Sequence, residues 1–138
     1  MVVPQEFWQG VEEFNQQQFY ACHDTLEAIW IEAPEADKRF YQGILQVAVG
    51  CYHLSNNNWR GAVILLGEAV RRLCDYLPDY HNVDVGILLE QSNQLLQTLQ
   101  QIEPERAALF FQQLQENDSS DAENLTKGCK LPKIAILD

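Results

Sequence analysis

Positive charge is scarce in this sequence. Its 138 residues hold 9 Lys and Arg against 20 Asp and Glu, a net charge of −11 with His neutral. The acidic surplus runs through both halves, so neither half is a basic module. A nucleic-acid or anionic-membrane surface needs clustered Lys and Arg, and neither partner is expected. Long apolar runs are missing too. The most apolar stretch, Phe40 to Leu54, is broken by Gln42, Gln46 and His53 and is too short and polar to span a bilayer. Met1-Val2-Val3-Pro4 leads into Gln5-Glu6 without a basic region ahead of an apolar one, so the expected location is the cytoplasm. Of the four cysteines, Cys22, Cys51, Cys74 and Cys129, none forms a C-x-x-C pair, which excludes a zinc knuckle or a thioredoxin-type motif. Cys22, Cys51 and Cys74 fall in apolar stripes and read as small buried hydrophobes in a reducing compartment. A Gly-rich phosphate loop, a G-x-S-x-G elbow and the pattern H-E-x-x-H are all absent.

What is present is helical periodicity, and it predicts an all-α fold: five or six helices around a central apolar one, with an extended C-terminal tail. A first helix starts near Pro4 or Gln5 and buries Phe7, Val11 and Phe14. The Asn15 to Gln18 run breaks it. A second helix over about 18–32 buries Phe19, Cys22, Leu26, Ile29 and Trp30, and Pro34 ends it. The third, about 35–55, is apolar nearly all round and is placed at the centre. Asn56-Asn57-Asn58 is a turn, because Asn tolerates left-handed backbone and caps helices. A fourth helix over 58–77 carries a long stripe from Trp59 to Leu77, and Pro78 stops it. Residues 78–83 read as a loop, with no strand pair anywhere in the chain. Asp84 is positioned to cap a fifth helix, and Pro104 opens a sixth. Residues 1–115 therefore form the bundle, 116–130 an acidic polar linker, and 131–138 an apolar tail. A tail holding Ile134-Ala135-Ile136-Leu137 does not stay in water by default. It is expected to dock on helices five and six or to join a second subunit or another protein.

The residues able to carry chemistry form a polar seam. His23 and Glu27, four apart, share one face at the edge of the second helix's apolar stripe. Gln42, Gln46 and His53, at offsets of four and seven, share one face of the third. Polar groups on an apolar central helix cost folding energy unless each finds a partner. One outcome is a buried network in which His23 meets Glu27 and the glutamines bond neighbouring helices. A second is a metal site, with His23, Glu27 and His53 as two nitrogens and a carboxylate suited to zinc or iron. A third is a metal-free ligand pocket. His81, beside Tyr80 and Asn82, reads as a solvated histidine, and Lys38, Arg39, Arg71 and Arg72 as surface charge or partners for the surplus carboxylates.

Taken in order, Phe14-Asn15, Phe19-Tyr20-x-x-His23-x-x-x-Glu27-x-x-Trp30, Phe40-Tyr41-Gln42-Gly43-Ile44-Leu45-Gln46-x-Ala48, His53, and Asn58-x-x-Gly61-Ala62 with Leu65-Leu66 resemble the small all-helical family catalogued as domain of unknown function three hundred and nine. The likeness covers about residues 11–77. It implies a compact helical bundle and no particular activity, and it singles out His23, Glu27, Trp30, Gln42, Gly43, Gln46, His53, Asn58, Gly61 and Ala62. The family's usual Glu after the first His is Asp24 here, one carbon shorter, and its usual Gly before the turn Asn is Asn57. Gly43 and Gly61 would permit close helix contact.

The expected function is a non-enzymatic helical module that binds a ligand or partner through the seam of His23, Asp24, Glu27, Trp30, Gln42, Gln46, His53 and Asn58, since no nucleophile–base pair stands at a readable spacing. The alternative is a metal-assisted hydrolase using His23, Glu27 and His53, with Asp24 as a fourth contact or base.

Overall fold

A computed structural model describes residues 3–116 and 124–137. Among the described residues six α-helices follow in order: α1 (Gln5–Asn15), α2 (Phe19–Glu32), α3 (Glu35–Ser55), α4 (Trp59–Leu73), α5 (Val85–Leu99) and α6 (Ala107–Glu116). Between α4 and α5 lies a two-stranded antiparallel ribbon, β1 (Asp79–Tyr80) and β2 (Val83–Asp84). The fold is all-α.

Helix α3 is the centre. Eleven of its 21 residues are buried, among them Phe40, Tyr41, Ile44, Val47 and Leu54, and it packs against α2, α4 and α6. Close approach of α4 depends on Gly43, where a Cβ would lie 2.9 Å from the Leu73 Cδ2 methyl. The helix ends follow local chemistry. Gln17 and Asn57 take the left-handed backbone at the α1–α2 and α3–α4 turns, with φ of 64° and 60°. Asn58 Oδ1 accepts from the Gly61 N–H and caps α4, and Asp84 Oδ1 accepts from the Ile87 N–H and caps α5.

Three local expectations are corrected. Helix α4 stops at Leu73 rather than 77, and residues 74–76 form a 3₁₀ turn. The residue before a proline is pushed to extended backbone, and Leu77 is extended (φ −69°, ψ 148°) ahead of Pro78. That turn carries Cys74 off the apolar stripe, so it is exposed, whereas Cys22, Cys51 and Cys129 are buried. Residues 79–84 are a hairpin, not a loop: His81 and Asn82 both have positive φ (48° and 64°) between the paired Tyr80 and Val83. Two left-handed central residues match the twist of the flanking strands, which is why such two-residue turns close hairpins.

The expected linker, 116–130, straddles residues 117–123, which lie outside the described part. Its described residues 124–130 bring Leu125 and Cys129 into the core. Leu131 and Ile134 follow, at 5% and 3% exposure. The chain then runs extended along the ribbon: Ile136 bridges Val83, the Asp84 N–H donates to the Ala135 carbonyl, and the Leu137 N–H donates to the Asn82 carbonyl. Asn15 clamps the same segment, accepting from the Ile134 N–H at 2.8 Å and donating to its carbonyl at 2.9 Å. Ile136 and Leu137 remain exposed. No helix among the described residues is long and apolar enough to cross a membrane.

Candidate functional site

Helix α3 runs back along α2 after the short turn at Ala33-Pro34, so the inner faces of the two meet. Their polar residues converge on one cleft of about 290 Å³ bordered by α4. His23, Glu27 and Trp30 enter it from α2, Gln42 and Gln46 from α3. Leu45, Val49 and Leu65 supply apolar wall. Five residues expected to form the seam thus share one concave surface.

The seam divides into a bonded part and an open part. Gln46, only 7% exposed, is bonded at both ends of its amide: its Nε2 donates to Glu68 Oε2 at 2.9 Å and its Oε1 accepts from Arg72 Nη1 at 3.0 Å. Glu68 and Arg72, four residues apart on α4, close the triangle at 3.9 Å. The open part is Trp30 and Gln42. The Trp30 Nε1 is buried with no acceptor among the described residues, while Lys38 Nζ stands 5.7 Å from the centre of its ring. Gln42 makes no side-chain hydrogen bond with any described residue.

His23 sits at the rim, its side chain 29% exposed. Its Nε2 lies 3.1 Å from Glu27 Oε2 and its Nδ1 3.1 Å from Asp24 Oδ1. Carboxylates only accept, so the imidazolium makes both bonds and the neutral ring keeps one. Asp24 and Glu27 are 62% and 48% exposed. This cluster is therefore a rim feature and not part of a buried network, one of the three readings the sequence left open, and pairs this exposed contribute about 0–1 kcal/mol.

His53 does not join the cleft. It lines a smaller hollow of about 130 Å³ with His23, Phe19, Tyr20, Val49 and Tyr52. Its Nδ1 accepts from Asn58 Nδ2 at 3.3 Å, since Asn58 Oδ1 already takes the Gly61 N–H. Asn58 is thus a helix cap, and a Cβ on Gly61 would come within 2.7 Å of its Nδ2. Among the described residues no group of three or more His, Cys, Asp or Glu side chains is placed to hold a metal ion. The set of His23, Glu27 and His53, the alternative reading as a zinc or iron site, is not assembled as one among the described residues.

A second polar centre was missed in the sequence. Asp37, 3% exposed, accepts at Oδ1 from the Tyr80 hydroxyl at 2.6 Å and from His81 Nε2 at 3.0 Å. His81 is therefore a partly buried, bonded histidine rather than a solvated one. The Phe40 ring lies against Tyr76, Tyr80 and His81. The bond to Asp37 pushes the Tyr80 hydroxyl up to about 12, and burial does the same for Tyr41. A raised phenol pKa stabilises the fold fully below the unfolded value near 10, and that stabilisation is lost as pH rises from about 10 to about 12. Burial also pushes the Cys22 and Cys51 thiols up from their usual value near 9, so urea midpoints should hold below about pH 9 and fall above it. A midpoint unchanged up to pH 12 would contradict this placement of Tyr41 and Tyr80.

Comparison with known proteins bears on the first half of the chain. Residues 7–65 match the model of a domain of unknown function, DUF309. The chain resembles this family. The matched segment holds every residue lining the cleft and leaves out the hairpin, α5 and α6. A protein named Uncharacterized protein YpuF, from Bacillus subtilis (strain 168), is 36% identical over 64 residues, which is 46% of this chain and 37% of the relative. The chain thus spans little more than a third of that relative's length. No solved structure matches the chain.

Proposed function

We propose that the cleft between α2, α3 and α4 binds a small neutral ligand with an apolar or aromatic body and a carboxamide-like end. The observation that carries this reading is the buried Trp30 Nε1, which has no acceptor among the described residues. Leaving a buried donor unpaired costs about 1–3 kcal/mol, and an acceptor on a ligand removes that cost. Gln42, equally unused, offers one further donor and one acceptor. Leu45, Val49 and Leu65 suit an apolar body, and the volume, about 290 Å³, lies at the small end of ligand pockets, roughly 300–1,000 Å³. Glu27 at the rim disfavours an anionic ligand.

Benzamide is the simplest probe with these features. Titrated into ¹⁵N-labelled protein, it is expected to shift the Trp30 indole N–H with a Kd on the order of 1 mM, about −4 kcal/mol. Gln42→Leu should abolish the shift. A Trp30 resonance unmoved by benzamide, or moved equally in Gln42→Leu, would count against the proposal.

A further inference from the structure

A second groove, of about 470 Å³, opens at the other end of α2, where that helix stops and α3 begins. Its lining holds three carboxylates, Glu6, Glu32 and Asp37, and no basic side chain. Local cations are committed elsewhere: Lys38 stands over Trp30, and Arg39 faces Asp75 at 3.8 Å. The last turn of α2 also carries no basic residue, so its terminal carbonyls add negative potential that a cation would complement.

Acidic residues alone would not make a site. Tyr41 supplies the independent observation. Its ring is held between Phe7 and Phe40 at 1% exposure, it lines the groove, and its hydroxyl hydrogen-bonds to no described residue. The hydroxyl oxygen opens onto the groove rather than being sealed in the core, so a ligand can reach it. Asp37 repeats the pattern: Oδ1 is taken by Tyr80 and His81, while Oδ2 has no partner among the described residues.

We infer that this groove binds a primary alkylammonium group, with Asp37 Oδ2 and the Tyr41 hydroxyl as acceptors at its floor. An ammonium has three donors and no acceptor, which matches a floor with two open acceptors. Ile29, Ala33 and Pro34 offer apolar wall to a methylene stem, a lining that suits an organic amine better than a bare metal ion. Glu6 and Glu32, both exposed, line the same groove and offer carboxylates to a second ammonium on the same stem. The ligand class is an alkyl diamine or the side chain of a lysine, which share this chemistry.

The test is calorimetric titration of the intact protein at low salt with 1,4-diaminobutane and, separately, with N-acetyl-lysine methylamide. At least one is expected to bind. Tighter binding of the diamine assigns the site to free polyamines, and tighter binding of the lysine analogue assigns it to a protein lysine. Tyr41→Phe removes a hydroxyl without an internal partner, so the fold should keep its melting temperature while affinity drops about tenfold. Asp37→Asn keeps an oxygen for Tyr80 and His81 and should weaken binding further, whereas Glu90→Gln, an exposed carboxylate on α5, should not. No binding of either amine, binding unaffected by Tyr41→Phe, or losses as large in Glu90→Gln as in Asp37→Asn would overturn the assignment. Should Asp37→Asn fail to fold, Tyr41→Phe decides alone.

Discussion

Removing residues 131–138 is expected to lower the unfolding free energy by about 3–6 kcal/mol. Leu131 and Ile134 are buried at 5% and 3% exposure, and each such side chain contributes roughly 1.5–3 kcal/mol relative to exposure. The same deletion unpairs the Asn15 side chain and removes the backbone bonds to Asn82 and Asp84. A domain of this size is stable by only about 5–15 kcal/mol, so the loss is a large fraction. The melting temperature should fall by on the order of 10 °C. An unchanged melting temperature would mean that the tail contributes nothing to the core.

Phe40→Ala should cost about 3–5 kcal/mol, the range for truncating a buried aromatic. Phe40 is fully buried and touches Phe7, Tyr41, Tyr76, Tyr80 and His81 with ring centroids 4.9–6.0 Å apart. It joins the central helix to the hairpin, so its loss should also loosen the bonds from Tyr80 and His81 to Asp37. Near-ultraviolet circular dichroism should lose aromatic signal together with the drop in urea midpoint. A cost under about 1 kcal/mol, with that signal intact, would show that the hairpin is held by other contacts.

The helix boundaries, apart from the C-terminus of α4, were legible because their causes are local. Pro34, the Asn56 to Asn58 turn and Asp84 each act within a few residues, and α3 covers the 35–55 span that its apolar pattern indicates. The hairpin was not legible. His81 takes a left-handed position that Gly, Asn or Asp usually fills, and its partner Asp37 is 44 residues away in the sequence. Asp37 itself looks like an ordinary charge in the first turn of a helix, and only the tertiary fold buries it. The cleft was half legible. Spacing of four identified the faces bearing His23 with Glu27 and Gln42 with Gln46, and the helix hairpin of α2 and α3 brought those faces together. Periodicity gives direction around a helix but not distance along it. His53, seven residues past Gln46, lies about 10 Å further along the axis, beyond the cleft and beside the α4 cap. Partners on α4 such as Glu68 and Arg72 follow from packing and leave no local sign.

On the proposed reading the seam divides into structure and site: Gln46 holds helices together, whereas Gln42 is kept for a ligand. Urea midpoints of Gln46→Leu and Gln42→Leu against the wild type test it most directly. Gln46→Leu strands Glu68 and Arg72, which are partly solvated, and should cost about 1–2 kcal/mol. Gln42→Leu removes an unpartnered amide beside Leu45 and should leave stability unchanged or raise it by about 0.5–1 kcal/mol, as replacing site residues often does. Equal losses in both variants would contradict the division and make the whole seam a structural network.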